Sequence, residues 1–198
     1  MRSTSGAVSV RSASSSSRID VRAVVLEMLG LLALGALAVA WHAFARGRFR
    51  LAPGHQGLIW MALVIVGRMT SRLPWAGVTA ATGAAGATML PIWRLGDPFM
   101  WVSYMAAGAI VDLGFGSFLR SSRALWAIAL LGGVAHAVKP LIRSVIQLGG
   151  WHYDSLVAGV PYPASTHFLF GAAGALIGAS LIKGWQWRRK QKEVKALG

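Results

Sequence analysis

The sequence predicts an all-α membrane protein, a compact bundle of six transmembrane helices with both chain ends in the cytoplasm. Apolar residues make up 55% of the 198 residues and charged residues only 13%, whereas about 25% is usual in a soluble domain. Apolar runs of about 20 residues, long enough to cross the hydrocarbon core, recur along the chain. Helices satisfy their own backbone hydrogen bonds in lipid, and the runs lack the alternation of a barrel strand.

Six apolar runs are predicted to be spans, in chain order 24–44, 57–71, 73–92, 99–119, 124–146 and 164–182. The second run is short and contains Arg68. Only the corner at residues 72–74 separates it from the third run. An alternative topology merges these two runs into one broken segment and leaves five spans.

Two cytoplasmic tails are predicted to flank the transmembrane domain, residues 23–185. Residues 1–22 are rich in Ser and Arg, a composition typical of a disordered tail. An organelle transit peptide, or a signal peptide ending near 38–40, is an alternative there. Glu27 and the length of the first run favour a retained helix. Residues 186–198 are predicted to form a basic tail, with Trp185 and Trp187 at headgroup depth.

The distribution of Lys and Arg predicts the orientation. With the N-terminus inside, 14 of the 20 Lys and Arg residues lie on the cytoplasmic side, as the positive-inside rule requires. The expected location is therefore the cell inner (plasma) membrane, crossed several times. The net charge of +14 is explained by this topology and by anionic lipids, and no nucleic-acid partner is predicted.

Catalytic and cofactor motifs are absent from the sequence. There is no cysteine, no Gly-rich nucleotide loop, no HExxH and no G-x-S-x-G. The expectation is a protein that is not an enzyme and has no metal or cofactor. Without an ATP site, transport would be passive, ion-coupled or energised by partners.

Ionisable residues within the apolar runs need a partner or a purpose. Asp112 is expected to pair with Arg68, Arg72 or Arg123, and Glu27 to pair with Arg22 or to reach the interface. On the fifth run, His136, Lys139 and Arg143 share one helical face, and Pro140 is expected to kink the helix. This basic face would either line a cavity for an anionic ligand or extend toward the outer interface.

Aromatic residues are concentrated at the predicted outer ends of the helices. An interfacial belt accounts for part of this group. The remainder, mixed with Asp97 and Asp154, is typical of a site for a flat ligand. The members of the group are Trp93, Trp101, Tyr104, Trp151, His152, Tyr153, Tyr162 and the nearby His167.

Small residues at four-residue spacing predict close helix contacts. Each such pair serves either packing within the chain or docking of a partner membrane protein. The pairs are Ala36 with Ala40, Gly83 with Ala87, Gly171 with Ala175, and Gly174 with Gly178.

Three stretches resemble the substrate-binding S components of energy-coupling factor (ECF) transporters, which capture vitamins in bacteria. In the first, a basic corner leads into a Gly/Ala-rich third helix, GRMTSRLPWAGVTAATGAAGATMLP. The second places small residues before an acid, DPFMWVSYMAAGAIVDLGFG, and the third places a histidine before a Gly/Ala face, STHFLFGAAGALIGASL. The resemblance covers about residues 24–185.

The resemblance implies a protein that binds a vitamin-like molecule near its outer face and performs no covalent chemistry. It implies as partners a transmembrane coupling subunit, docked on Ala36 and Ala40, and two ATPase subunits, within membrane lipids. The substrate-binding residues that it implies are Trp101, Tyr104, Trp151, His152, Tyr153 and His167.

Three other functions stay open. One is a small intramembrane enzyme that uses Asp112, His136 or His167 as acid or base. Another is a non-transporting assembly or scaffold protein, whose Gly/Ala helices hold a larger complex together. The last is a small ion-coupled transporter.

Overall fold

The computed structural model describes residues 20–46, 52–93, 95–119 and 124–197, and these residues form six α-helices and no β-strand. The all-α prediction is therefore confirmed for the described part of the chain. The helices are α1 (Val21–Arg46), α2 (Gly57–Thr70), α3 (Ala76–Thr88), α4 (Met100–Gly116), α5 (Leu125–Leu148) and α6 (Pro161–Leu197), with short 3₁₀ turns at Pro91–Trp93 and Asp154–Leu156.

Three of the helices, α1, α5 and α6, are long and apolar enough to cross a membrane. The helices α2 and α4 are apolar but have only 14 and 17 residues. The corner at residues 71–75 separates α2 from α3, so these are two helices and not one broken segment. Pro74 disfavours a continuous helix there, because a proline restricts the residue before it, here Leu73, to extended backbone.

Successive helices run in opposite directions. Near the start of α1, the Glu27 carboxylate accepts hydrogen bonds from the Ser71 hydroxyl and the Arg72 amide, just after α2 ends. Near the end of α1, His42 Nδ1 lies 3.5 Å from the hydroxyl of Tyr104, in the first turns of α4. We call the end of the bundle formed by loops 52–56, 95–99 and 149–160 the upper end, and the opposite end, with Asp20 and Leu197, the lower end.

Glycine allows the helices to approach closely. A Cβ atom on Gly35 would lie 1.8 Å from the carbonyl oxygen of Ala80, so α1 and α3 touch through their backbones. On α6, a Cβ on Gly174 would lie 2.4 Å from the Leu58 carbonyl, and one on Gly171 would lie 2.6 Å from the Gly132 carbonyl. The small residues of α6 therefore serve packing against α2 and α5 within this chain.

Asp112 joins three helices at the lower end. Its carboxylate accepts hydrogen bonds from the Gly77 and Val78 amides, at 2.9 and 2.7 Å, and so satisfies the first turn of α3. The Arg68 guanidinium lies 3.2 Å from the same carboxylate. The predicted pairing with Arg68 is confirmed. Glu27 has the expected structural role, but its contacts are at residues 71–72 and its predicted partner, Arg22, is not among them.

The structure describes the predicted C-terminal tail almost completely and only the end of the predicted N-terminal tail. Residues 1–19 lie outside the described residues, whereas Val21 and Arg22 already belong to α1. The predicted basic tail is not separate, because α6 continues through it to Leu197. Its Arg, Lys, Gln, Glu and Ala residues favour helix, and Arg189 pairs with Glu193 one turn later at 3.2 Å.

Candidate ligand-binding site

A cavity of about 460 Å³ lies at the upper end of the bundle. This volume is in the range of small-molecule sites in proteins, roughly 300–1,000 Å³. Its lining comes from His42 of α1, residues 52–56, residues 95–97 with Met100, Lys139 and Arg143 of α5, residues 151–155, and His167 of α6. Helix ends and loops that are distant in sequence therefore form one site.

Asp97 and Arg143 hold one wall of the cavity together. Arg143 Nη2 donates to Asp97 Oδ2 at 2.7 Å, and Nη1 donates to the Ser155 hydroxyl at 3.3 Å. The Tyr153 hydroxyl donates to Asp97 Oδ1 at 3.2 Å, and its ring lies 4.9 Å from the Arg143 guanidinium carbon. Burial and then the Asp97 charge raise the pKa of Tyr153 to about 12, so the phenol remains a donor. This network fixes loops 95–99 and 149–160 against α5.

Lys139 reaches the cavity without an acidic partner. Its side chain is 7% exposed, and Nζ donates to Gln56 Oε1 at 3.3 Å. All 6 acidic residues of the chain lie in the described part, and the ion pairs found there are Arg68–Asp112, Arg143–Asp97, His152–Asp154 and Arg189–Glu193. Nζ also lies 6.0 Å from the centroid of the Tyr104 ring. A buried cation with only such neutral partners costs free energy unless another group completes its coordination.

Two stacked histidines adjoin Lys139. The rings of His136 and His167 lie 4.9 Å apart at 27°. His167 Nδ1 donates to the Pro163 carbonyl at 2.7 Å, and His136 Nε2 donates to the Gly54 carbonyl at 3.2 Å, since a carbonyl oxygen only accepts. These bonds leave His167 Nε2 without a protein partner among the described residues, on a ring that lines the cavity.

An aromatic ring forms part of the cavity rim. Trp151 is 41% exposed and lines the cavity, and Phe99 contacts it edge to face with ring centroids 5.6 Å apart. The Phe99 contact fixes the indole and leaves part of its surface to the opening. His152 and Asp154, 3.3 Å apart, are exposed at the same rim.

The structure brings together four of the six residues that the resemblance implied for substrate binding. Trp151, His152, Tyr153 and His167 all line the cavity. Tyr104 is buried beneath it, edge to face with Trp60 at 4.7 Å. Trp101, on α4, does not belong to the lining.

The substrate-binding residues predicted from the sequence did not include most of the polar residues that line the cavity. The spacing of Lys139 and Arg143 on one face of α5 did indicate a possible cavity, and the structure places both in its wall. The contribution of His42 and the loop at residues 52–56 was missed. Only the polar character of His55 and Gln56, directly before an apolar run, could have indicated it.

The predicted docking residues, Ala36 and Ala40, are both half-buried in α1. Ala36 packs against the core of this chain. The more exposed side of α1 lies beside them and carries Leu29, Leu37 and Trp41, which are about half exposed.

The residues considered as acid or base lie at different ends of the bundle. Asp112 lies at the lower end and His167 at the upper end, so these residues do not form one catalytic site. Among the described residues, no group of three or more His, Cys, Asp or Glu side chains is placed to hold a metal ion. Comparison with protein-family models, curated proteins and solved structures gave no match. The cavity therefore combines polar groups that are fixed by hydrogen bonds with an aromatic rim.

Proposed function

We propose that this protein is a membrane-embedded capture subunit, of the ECF S-component kind, which binds a small vitamin-like molecule at its upper end for uptake. The observation that carries the proposal is the cavity itself. It is formed where helix ends meet three loops, it has the volume of a small-molecule site, and buried polar groups line it. Binding without covalent chemistry is what such a lining supports.

The proposed membrane arrangement has six spans with both chain ends in the cytoplasm. Three helices have the length and composition of spans. The shorter helices α2, α3 and α4 pack against them with alternating direction, so an even number of passes returns the chain to the lower end. The lower end also carries Arg72 and the basic end of α6, which supports a cytoplasmic location for it.

The source of energy in this proposal is a partner assembly. The sequence has no nucleotide-binding loop, so a coupling subunit and two ATPase subunits would supply the work. The exposed strip on α1 beside Ala36 and Ala40 is the proposed docking surface. The small side chains of Ala36 and Ala40 at its edge would allow a partner helix to approach α1 closely in lipid.

Native mass spectrometry of the detergent-purified protein tests the capture function. We expect a stoichiometric adduct of vitamin size, which is lost in Trp151→Ala or His167→Ala. Trp185→Ala is the matched control, because Trp185 is exposed on α6 far from the cavity. A wild-type protein that stays unliganded after incubation with a vitamin panel would contradict the proposal and favour a scaffold role.

A second experiment separates docking from binding. The double variant Ala36→Trp, Ala40→Trp is expected to abolish uptake in cells and to retain the adduct in native mass spectra. Uptake that survives the two tryptophans would show that the coupling subunit docks elsewhere.

A further inference from the structure

We infer that the ligand of this cavity is a small organic monoanion with a flat ring, whose carboxylate binds Lys139. This inference rests on the proposed capture function and specifies the substrate class. It follows from the charges at the cavity, from the position of Lys139 and from the rim.

The charges at the cavity leave one cation unmatched. Arg143 is matched by Asp97 at 2.7 Å, and the carboxylate of Asp154 is fully exposed at the rim, where water and salt screen its charge. Of the two Lys and Arg side chains that line the cavity, Lys139 is the one with no carboxylate within ion-pair distance among the described residues. A single negative group on the ligand would neutralise the Lys139 ammonium. A neutral ligand would leave the ammonium as it is, and a cation would be repelled by it.

Lys139 is placed to receive that group. Its side chain is 93% buried, as its 7% exposure implies, and it lines both the cavity and a small adjoining space beside Gln56, Trp60 and Tyr104. By helix geometry it lies about 14 Å below the end of α5, at the floor of the site. A carboxylate there would form a charge-assisted hydrogen bond in a low-dielectric environment.

His167 provides a second polar contact for the ligand, separate from its carboxylate. It is 3% exposed, its Nδ1 is occupied by the Pro163 carbonyl, and its Nε2 has no protein partner in the described chain. With the ring proton on Nδ1, Nε2 accepts a hydrogen bond from a donor on the ligand.

The rim selects for a flat ligand body. Trp151 presents part of its indole to the opening while Phe99 holds it from the side. Offset stacking on such a surface favours an aromatic or heterocyclic ring.

Three probes of nearly equal shape and different charge test the inference: benzoate (−1), benzamide (neutral) and benzamidine (+1). The full chain is placed in nanodiscs of zwitterionic phosphatidylcholine, and binding is measured by ligand-observed NMR up to about 10 mM, since fragments of this size bind in the millimolar range. We expect benzoate to bind at least about tenfold more tightly than either of the others.

Lys139→Met and Lys139→Gln are expected to remove this preference, and Lys190→Met, on the exposed basic part of α6, to preserve it. Circular dichroism and size-exclusion chromatography establish that the variants fold. Two replacements of different polarity are used so that the test can still be made if one of them does not fold. Equal binding of benzamide, stronger binding of benzamidine, or benzoate binding that survives both Lys139 variants would overturn the inference.

Two further outcomes distinguish a wrong ligand class from a wrong capture function, and a water-soluble ligand from a lipid. No benzoate binding by a protein whose native vitamin-sized adduct has first been removed would overturn the monoanion class and leave the capture function standing. Nanodiscs with phosphatidylglycerol provide the lipid arm. Displacement of benzoate by this anionic lipid would assign the cavity to a headgroup and overturn a water-soluble ligand.

Discussion

The contact between α1 and α3 makes a quantitative prediction about two glycines of one helix. A Cβ on Gly35 would lie 1.8 Å from the Ala80 carbonyl oxygen and 2.7 Å from the Ala84 nitrogen, whereas one on Gly30 meets nothing within 4 Å. Both obstructing atoms belong to the backbone, so no side chain can rotate out of the way. An ordinary contact at about 3.4 Å would require the helices to separate by roughly 1.5 Å.

Gly35→Ala is therefore expected to lower the free energy of unfolding by about 3 kcal/mol, the upper part of the usual cost of overpacking. In a chain of this length that change corresponds to a melting temperature lower by roughly 6–12 °C. Gly30→Ala adds the same methyl group to the same helix without a clash. It is expected to leave stability unchanged or to raise it by up to about 1 kcal/mol, because alanine favours helix.

Thermal unfolding in detergent, followed by circular dichroism or by the loss of monodisperse protein, measures both variants. The comparison within one helix removes differences of membrane or detergent environment. Equal melting temperatures for Gly35→Ala and Gly30→Ala would refute the close backbone packing of α1 on α3, and with it the assignment of this part of α1 to the interior.

Three more predictions concern polar groups. Asp112→Asn is expected to cost about 3 kcal/mol, because the partly buried Arg68 loses its counterion and the Gly77 and Val78 amides lose a charged acceptor. Glu193→Gln, in an exposed pair, should cost under about 0.5 kcal/mol, and thermal unfolding compares the two variants. Lys139→Met is expected to raise the free energy of unfolding of the ligand-free protein by about 1–2 kcal/mol, and its melting temperature with it, since a poorly coordinated buried cation is removed. A melting temperature below that of the wild-type protein would contradict this. Tyr153→Phe should lower the free energy of unfolding by about 1–2 kcal/mol, because the hydrogen bond to Asp97 is lost. Tyr162→Phe should cause no measurable change, because the Tyr162 side chain is exposed and its hydroxyl has no partner among the described residues. The pKa of Tyr153 is raised to about 12 in the fold and is about 10 in the unfolded chain. The unfolded chain therefore loses its proton first, and the stability that Tyr153 contributes falls as the pH rises from 10 to 12. Urea unfolding at several pH values should show this fall in the wild-type protein and not in Tyr153→Phe.

The helical character of the fold could be predicted because apolar run length is a local property. The run at residues 124–146 became α5, Leu125–Leu148, with little change. The end of α6 could not be placed in the same way. Hydropathy falls where the basic residues begin, whereas the tendency of Arg, Lys, Gln and Glu to form helix continues to Leu197.

The candidate site was predictable only in part, because its walls come from distant segments. Lys139 and Arg143 lie on one helical face, and helical spacing alone indicated this. The bond from Arg143 to Asp97 joins residues 46 positions apart, and no spacing rule predicts such a pair. The same limit applied to His42, which reaches the cavity from α1.

The length of α6 has a mechanical consequence. Its 37 residues extend about 55 Å, whereas the hydrocarbon core is about 30 Å thick. In the proposed arrangement roughly 25 Å of continuous helix would stand out on the cytoplasmic side as a rigid lever. A tilt of the bundle by about 20° would swing the tip of that lever through roughly 9 Å, so a fluorescent or spin label near Lys195 would convert a small rotation in the membrane into a measurable distance change.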